Sequence, residues 1–471
     1  MEFVGRRRSL ARLDDELDRV GPGRSRLVTV RGRRQVGKSR LVTEWLTSRG
    51  LPHVYYQALG RPLPAELDAF AAAVARSNVG SLAEVASGVT WRSWEAALAA
   101  FATADDGDGP PVLVIDEVPY LTGGDDRFEA TLQAAWDGRL ERAGILVVLI
   151  GSDLAMMDAL GSYGRPLYQR VDRQLRIDPL DPAEVGGLLQ VDATEAIDTY
   201  LLTGGFPRIV AERSLHGTTA GFLDAACRDE SHPLVYAGRQ ILDAELRPEL
   251  SARQVLAAIG AGERAYNAIA TRAGVTASTL STALERLGEK RIVAADDPLA
   301  ARRIGKRTRY RIEDPYLRFW LRFLADRVGD IERGRGDLVA ADIRASWDSY
   351  AGVAVEPVVR WGIERRLPDT RFGGARRVGG FWSRNHDVEV DLVGVDAGDP
   401  VASIEFVGSI KWRTQARFGQ DDAVALRAAA STVPGAGAST PTVAVSRTGI
   451  DGRVDVDVAM TPEDLLGAWV A

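Results

Sequence analysis

Residues Gly32 to Ser39 read GRRQVGKS, a fit to the pattern G-x-x-x-x-G-K-[ST]. Glycines in such a loop let the backbone turn so that successive N–H groups converge on phosphate oxygens. Lys38 would reach the outer phosphates and Ser39 would hold a magnesium ion. The helix opening there would aim the positive end of its dipole at the anion. The candidate phosphate-binding residues are therefore Gly32, Arg33, Arg34, Gln35, Val36, Gly37, Lys38, Ser39 and Arg40.

The flanks agree with this reading. Leu27-Val28-Thr29-Val30 has the look of a short buried strand, and Leu41, Val42 and Trp45 fall at helical spacing after the loop. Further along, Val112-Leu113-Val114-Ile115-Asp116-Glu117 is an aliphatic run ending in two carboxylates. Such a run suits a parallel strand buried on both faces, with its chemistry at the carboxyl end. Asp116 would bind the magnesium through water, and Glu117 would polarise the attacking water of phosphoryl transfer. A second aliphatic run, Ile145 to Ile150, ends in Gly151-Ser152, which makes Ser152 a candidate sensor of the terminal phosphate. Arg165 and Arg170 occupy a later loop and suit a solvated surface.

Composition narrows the class. A length of 471 residues predicts three domains at about 150 residues each. Apolar content of 45% and charged content of 26% exclude wholesale disorder. The net charge of −6 excludes a uniformly basic binder but leaves room for a local basic patch. One cysteine permits no internal disulfide, and the four histidines lack metal-ligand spacing. The start, MEFVGRRR, lacks a signal-peptide core, and the Ile145 to Ile150 run is too short to span a bilayer, so the expectation is a soluble cytoplasmic chain. Lysine is scarce: of 59 Lys and Arg, only Lys38, Lys290, Lys306 and Lys411 are lysines. Such a chain is expected to keep lysine where a compact ammonium does what a planar guanidinium cannot.

Phe3-Val4-Gly5-Arg6 precedes an amphipathic segment with Leu10, Leu13 and Leu17 on one side, and Thr203-Gly204-Gly205-Phe206-Pro207 follows a helical stretch. FVGR, GRRQVGKS, VIDEVPYL, LIGS and GGFP, in that order and spacing, resemble the archaeal-type ATPase family on the STAND and AAA+ side of the P-loop class. The resemblance implies an FxGR box against the adenine and a helical lid whose Gly-x-Pro element brings Pro207 onto the base. The segment Ala211 to Leu250 would complete that lid.

From Val255 to Asp314 the pattern changes. Three short helical patterns, with Gly274 turning between the last two, read as helix-turn-helix. Ile292-Val293 and Tyr310-Arg311-Ile312 would pair as a wing carrying Arg302, Arg303, Lys306, Arg307, Arg309 and Arg311. Such a hairpin could neutralise the phosphates of double-stranded DNA. The recognition helix would begin Thr276-Ala277-Ser278-Thr279, without the side chains that make bidentate base contacts, so the wing would read shape rather than sequence. Asp314-Pro315 then caps a helix whose Tyr316, Phe319, Trp320 and Phe323 read as a core stripe.

The last segment predicts a helix over Tyr350 to Arg366 containing Glu356, a strand with Glu389 and Asp391, and a strand IEFVGSIKW that holds Lys411. This order resembles the restriction-endonuclease-like PD-(D/E)xK fold, and the nuclease-like domain of unknown function that often follows the archaeal-type ATPase. In active members two acidic groups hold magnesium and the lysine assists water. Here the position two before Lys411 is Ser409, so the ligand set is short by one carboxylate. Glu389, or Glu405 through a bulge at Gly408, could stand in.

The expectation is an α/β chain in three parts. Residues 1–250 would form a P-loop NTPase with a parallel sheet and helical lid, 251–330 a winged helix-turn-helix, and 335–471 a restriction-endonuclease-like α/β domain that has lost part of its site. Its ligands would be ATP or ADP and Mg2+, and a homo-oligomer stays open. The favoured function is an ATPase switch coupling nucleotide state to DNA binding or domain rearrangement. The alternatives are an ATP-gated, metal-dependent DNA nuclease, and a signalling assembly protein that never touches DNA.

Overall fold

A computed structural model describes residues 3–86, 89–104, 109–122, 127–246, 250–301, 307–384, 388–398 and 401–470. The chain divides into two compact units, 1–179 and 180–471.

The first unit is built on a five-stranded sheet: β1 Arg26–Arg31, β2 His53–Gln57, β3 Val112–Asp116, β4 Leu146–Gly151 and β5 Arg173–Arg176. The spatial order is β2, β3, β4, β1, β5, and every neighbouring pair is parallel. Each residue of β3 and β4 is buried. That follows from their composition, because an aliphatic run without alternation is stable only where helices cover both faces. On one face Phe70, Trp94, Phe101, Leu132 and Trp136 join the apolar side chains of β2, β3 and β4 in a single core. The connection from β1 runs through helix Lys38–Arg49 to β2 at the far edge, and β4 lies between β1 and β3. The carboxyl ends of β1, β3 and β4 therefore open side by side, where a doubly wound sheet binds its ligand.

The N-terminal helix Arg7–Leu17 attaches to this sheet by more than its apolar side. Leu13 and Glu16 are both buried. Glu16 receives Arg26 at 2.6 Å and Arg173 at 2.5 Å, from the adjacent strands β1 and β5. Burial alone would raise this carboxyl, but the hydrogen bonds from Arg173 and Arg26 hold it below its usual range.

The second unit opens with the helices Pro182–Leu189, Ala193–Thr203, Pro207–Arg213, Thr219–Ala226 and Pro233–Glu245. Helices Leu250–Gly260, Tyr266–Ala273 and Ala277–Glu289 follow, and then an antiparallel ribbon of β6 Val293–Asp296 and β7 Arg309–Ile312. Gly274 makes the turn between the last two of these helices at a φ of 65°.

Helix Pro315–Phe323 begins as anticipated: the Asp314 side chain accepts from the Leu317 N–H, and proline fills the first turn. Its aromatic stripe is core, with Tyr316 and Trp320 donating to the carbonyls of Leu234 and Val235. The expected helix over Tyr350 to Arg366 is instead two helices, Gly336–Ala354 and Glu356–Arg366. The reason is Pro357, which has no N–H to donate back and so begins a helix where a single one would have continued.

The final sheet holds β8 Arg377–Trp382, β9 Glu389–Val395, β10 Ile404–Lys411, β11 Thr442–Ser446 and β12 Val458–Met460. Its order is β12, β11, β10, β9, β8, antiparallel from β8 to β10 and parallel from β10 to β12. One core joins this sheet to helices Pro182–Leu189 and Ala193–Thr203: Leu180, Ile197 and Leu201 share it with Phe406, Val443 and Trp469. Buried Asp198 fastens the two, accepting from Trp412 Nε1 at 2.8 Å and from Arg447 Nη2 at 2.7 Å. Gly205 is required at the same joint, since a Cβ there would lie 1.9 Å from the Leu180 carbonyl oxygen. Among the described residues no helix is long and apolar enough to cross a membrane.

Candidate nucleotide site

The loop after β1 has the conformation its glycines allow. Gly37 has φ 92° and Gln35 φ 65°, so the backbone turns twice into the left-handed region before helix Lys38–Arg49 starts. Gly32 passes so close to β5's continuation that a Cβ would lie 2.2 Å from the Ile177 carbonyl oxygen. Lys38 is buried, and its Nζ donates to the carbonyls of Gly32 at 2.8 Å and Arg33 at 3.0 Å. Burial lowers its pKa, while the charges of Glu117 and Asp116 oppose that shift. The ammonium is thus held inside the curve of the loop, facing two carboxylates.

Asp116, at the end of β3, is the hub of this network. Its Oδ2 accepts from Ser39 Oγ at 2.6 Å and from Tyr55 OH at 2.6 Å, and its Oδ1 from the Glu117 N–H at 2.8 Å. Glu117 has φ 55°, an uncommon conformation for a non-glycine residue. Its carboxylate accepts from Ser152 Oγ at 2.9 Å, directly after β4. Lys38, Ser39, Asp116, Glu117 and Ser152, found separately in the sequence, therefore converge at the ends of three adjacent strands.

Other loop residues have subsidiary contacts. Arg34 reaches Tyr120 OH at 3.3 Å, Val36 is buried, and Arg40 is exposed on the first turn of the helix. Arg6, from the FVGR box, donates to the Val36 carbonyl at 2.9 Å and to the Asp178 carbonyl. It braces the loop backbone against the segment after β5. Arg165 and Arg170 are paired with Glu129 and Asp137.

Tyr55 escaped sequence reading because β2 offered no motif, only a strand of alternating burial. Burial first, and then the charge of Asp116, push its phenol well above the usual range. It is therefore a permanent hydrogen donor to that carboxylate. A signal did exist: a tyrosine in the middle of the strand that pairs with the Asp116 strand.

Residues 2–149 match the family described as the AAA ATPase domain. The chain carries an AAA ATPase domain. The phosphate loop, Asp116 and Glu117 all lie inside the matched ATPase segment. Residues 320–422 match a second family, described as archaea bacterial proteins of unknown function. An uncharacterized protein of Methanocaldococcus jannaschii is 25% identical over 414 residues, 87% of this chain and 88% of that protein. Among solved structures, the Walker-type ATPase of Pyrococcus abyssi shares the fold at a TM-score of 0.50 and 19% identity, over 68% of this chain and 96% of its own. The ORC2 protein of Aeropyrum pernix matches at a TM-score of 0.43 and 15% identity, over 73% of this chain and 96% of its own.

Pro207 belongs to the second unit, where it opens helix Pro207–Arg213. The nuclease-like residues also lie there. Glu356, Asp391 and Ser409 come together, but their contacts do not suit a metal. Asp391 Oδ2 accepts from Ser409 Oγ at 3.0 Å and from the Ile410 N–H at 2.7 Å. Arg360, unmarked in the sequence, donates to Glu356 Oε2 at 3.0 Å and to the Asp391 carbonyl at 2.7 Å. Arg360 therefore neutralises Glu356 and ties it to the Asp391 backbone, while the Asp391 carboxylate is taken up by Ser409 and the Ile410 N–H.

Neither expected stand-in is available. Glu389 pairs with Arg309 at 2.8 Å, and Glu405 accepts from the Gly374 N–H at 2.8 Å. The irregularity of β10 lies between Ile404 and Phe406 rather than at Gly408. Lys411 ends β10 two residues beyond Ser409 and makes no side-chain hydrogen bond or ion pair among the described residues. No group of three or more His, Cys, Asp or Glu suited to a metal occurs among the described residues.

The basic wing also differs from expectation. Arg302, Arg303 and Lys306 lie outside the described residues. Arg307 donates to the Trp382 carbonyl at 3.4 Å, Arg309 pairs with Glu389 and stacks 4.5 Å from the Trp382 ring centre, and Arg311 pairs with Asp296 at 2.8 Å. These three are internal cations of the second unit rather than a free row.

Proposed function

We propose that this chain is an ATP-hydrolysing nucleotide switch whose site is the network of Lys38, Ser39, Asp116, Glu117 and Ser152. The supporting observation is the linkage of Ser39, Asp116, Glu117 and Ser152 by hydrogen bonds of 2.6 to 2.9 Å at the carboxyl ends of β1, β3 and β4, with the Lys38 ammonium within the charge field of Glu117 and Asp116. In this reading the backbone N–H groups of residues 32–39 receive the phosphates, and Lys38 neutralises the outer ones. Ser39 and Asp116 offer a hydroxyl and a carboxylate, a donor pair of the chemistry magnesium accepts. Bound there, the metal would supply charge neutralisation on the phosphates.

Glu117 orients the attacking water, and Ser152 holds Glu117. Tyr55 keeps Asp116 aimed at Ser39, and Arg6 keeps the loop from shifting. Pro207 contacts adenine by analogy with the family its GGFP element resembles. The partners of Asp391 and Glu356 support a binding or scaffolding role for the C-terminal sheet over nuclease chemistry.

Turnover of ATP by wild type and Lys38→Ala, each with and without duplex DNA, tests the proposal. Lys38-dependent turnover indifferent to DNA is the expected result, because Arg309 and Arg311 already have carboxylate partners. Stimulation by DNA would make the switch DNA-coupled. Turnover that survives Lys38→Ala would sink the assignment.

A further inference from the structure

A cavity of about 480 Å³ lies within the second unit, between the β6–β7 ribbon, helix Pro315–Phe323, the two helices flanking Val355, and the Trp382 end of β8. Its described lining carries six arginines, Arg264, Arg309, Arg311, Arg318, Arg322 and Arg360, against the three carboxylates Asp296, Glu356 and Glu389. Each carboxylate already faces an arginine: Asp296 faces Arg311, Glu356 faces Arg360, and Glu389 faces Arg309 with Arg264 at 3.7 Å.

Among the described residues neither Arg318 nor Arg322 pairs with a carboxylate. Arg318 donates to the carbonyls of Ile312 and Ala354, and Arg322 to that of Ala261. The lining therefore carries a surplus of three positive charges. Carbonyls orient a guanidinium but do not neutralise it, so the surplus repels itself in a partly enclosed space. Burial, and then Arg311, push the Arg318 guanidinium down to about 10. Apolar and aromatic side chains also line it: Ile259, Phe323, Tyr350, Val353 and Trp382.

We propose that this cavity binds a phosphorylated small molecule with an aromatic body, of mononucleotide size. Two guanidiniums that lack carboxylates match the bidentate geometry of a phosphate, and the volume falls in the range of about 300–1,000 Å³ usual for small-ligand pockets. The aromatic wall receives the body, and Ser346 and Ser349 add hydroxyl donors. The site is separate from the phosphate loop and stands whether or not the chain hydrolyses ATP. Because its walls come from the ribbon, four helices and the last sheet, occupancy would tie these elements together.

The test uses full-length Lys38→Ala protein in magnesium-free buffer, which disables the phosphate loop, with adenosine 5′-monophosphate and inorganic pyrophosphate as calorimetric probes and a short DNA duplex as competitor. The monophosphate is expected to bind with one-to-one stoichiometry. Arg322→Gln, on an exposed side chain, should weaken it about tenfold, the effect of losing one charge-assisted contact. Arg318→Met should weaken it further, with a circular-dichroism melt reporting whether that variant folds.

Absence of monophosphate binding, or binding indifferent to Arg322→Gln, would overturn the proposal. So would a site that takes pyrophosphate as tightly as the nucleotide, since the aromatic wall would then contribute nothing. Arg322-dependent binding of the duplex without the monophosphate would overturn it in favour of a nucleic-acid surface.

Discussion

The chain contains two clusters in which carboxylates and a serine from neighbouring elements meet, and they differ in what faces the carboxylates. At the end of β3, Asp116 and Glu117 are held by the neutral hydroxyls of Ser39, Tyr55 and Ser152, and the nearby cation is a lysine curled within a glycine loop. At the β9–β10 pair, Asp391 is held by a serine and a backbone N–H, while Glu356 is neutralised by Arg360. Hydroxyls orient an anion and leave its charge available to a ligand. A guanidinium at 3.0 Å takes that charge up. The same residue types therefore make a candidate reaction centre in one unit and an internal brace in the other.

The largest expected effect breaks the first cluster. Glu117→Gln keeps the shape and the Ser152 contact but removes the charge that orients water, so ATP turnover should fall by about a hundredfold or more while nucleotide binding persists. Single-turnover hydrolysis alongside equilibrium binding separates the two. If turnover is unchanged, Glu117 has no such role.

The second prediction concerns the carboxylate that fastens helix Ala193–Thr203 to the last sheet. Asp198→Ala leaves the Arg447 charge and the Trp412 N–H without their partner, which should cost about 3 to 5 kcal/mol, read from a denaturant titration. A loss below about 1 kcal/mol would mean that water replaces the pair.

Plasmid incubated with Mg2+ or Mn2+ sharpens the comparison itself. Wild type is expected to leave the plasmid intact. Nicking that disappears in Asp391→Ala would show that the Ser409 and Arg360 contacts do not silence the second cluster.

The smallest effect is on pH dependence. Burial raises the Glu356 carboxyl above its ordinary 4.5, against the pull of Arg360. The folded state then holds this proton more tightly than the unfolded chain. Its contribution to stability is full below pH 4.5 and is lost as pH rises through the raised folded value. Glu356→Gln removes that loss, so the melting temperature of the variant relative to wild type should climb as pH increases from 4. A constant difference would count against a raised carboxyl at this position.

How much of this was legible differs between the clusters for a physical reason. The phosphate loop depends on a contiguous backbone conformation that only certain residues adopt, so Gly32, Gly37 and Lys38 announce it locally. Asp116 and Glu117 were readable because a strand buried on both faces must be aliphatic until it ends. Tyr55 and Arg360 were not, since each acts through a neighbour brought close only by sheet pairing or helix packing.

The sequence alone determined the local elements: glycine turns, aliphatic strands, the Asp314 cap and the aromatic stripe after it, all set by interactions spanning a few residues. Tertiary structure decided the charge accounting. Whether Arg309 and Arg311 are free cations, whether Asp391 can take a metal, and which core receives Leu201 depend on partners such as Glu389, Asp296, Ser409 and Phe406. Those pairings join residues far apart along the chain, and coulombic and packing energies follow distance in space rather than distance in sequence.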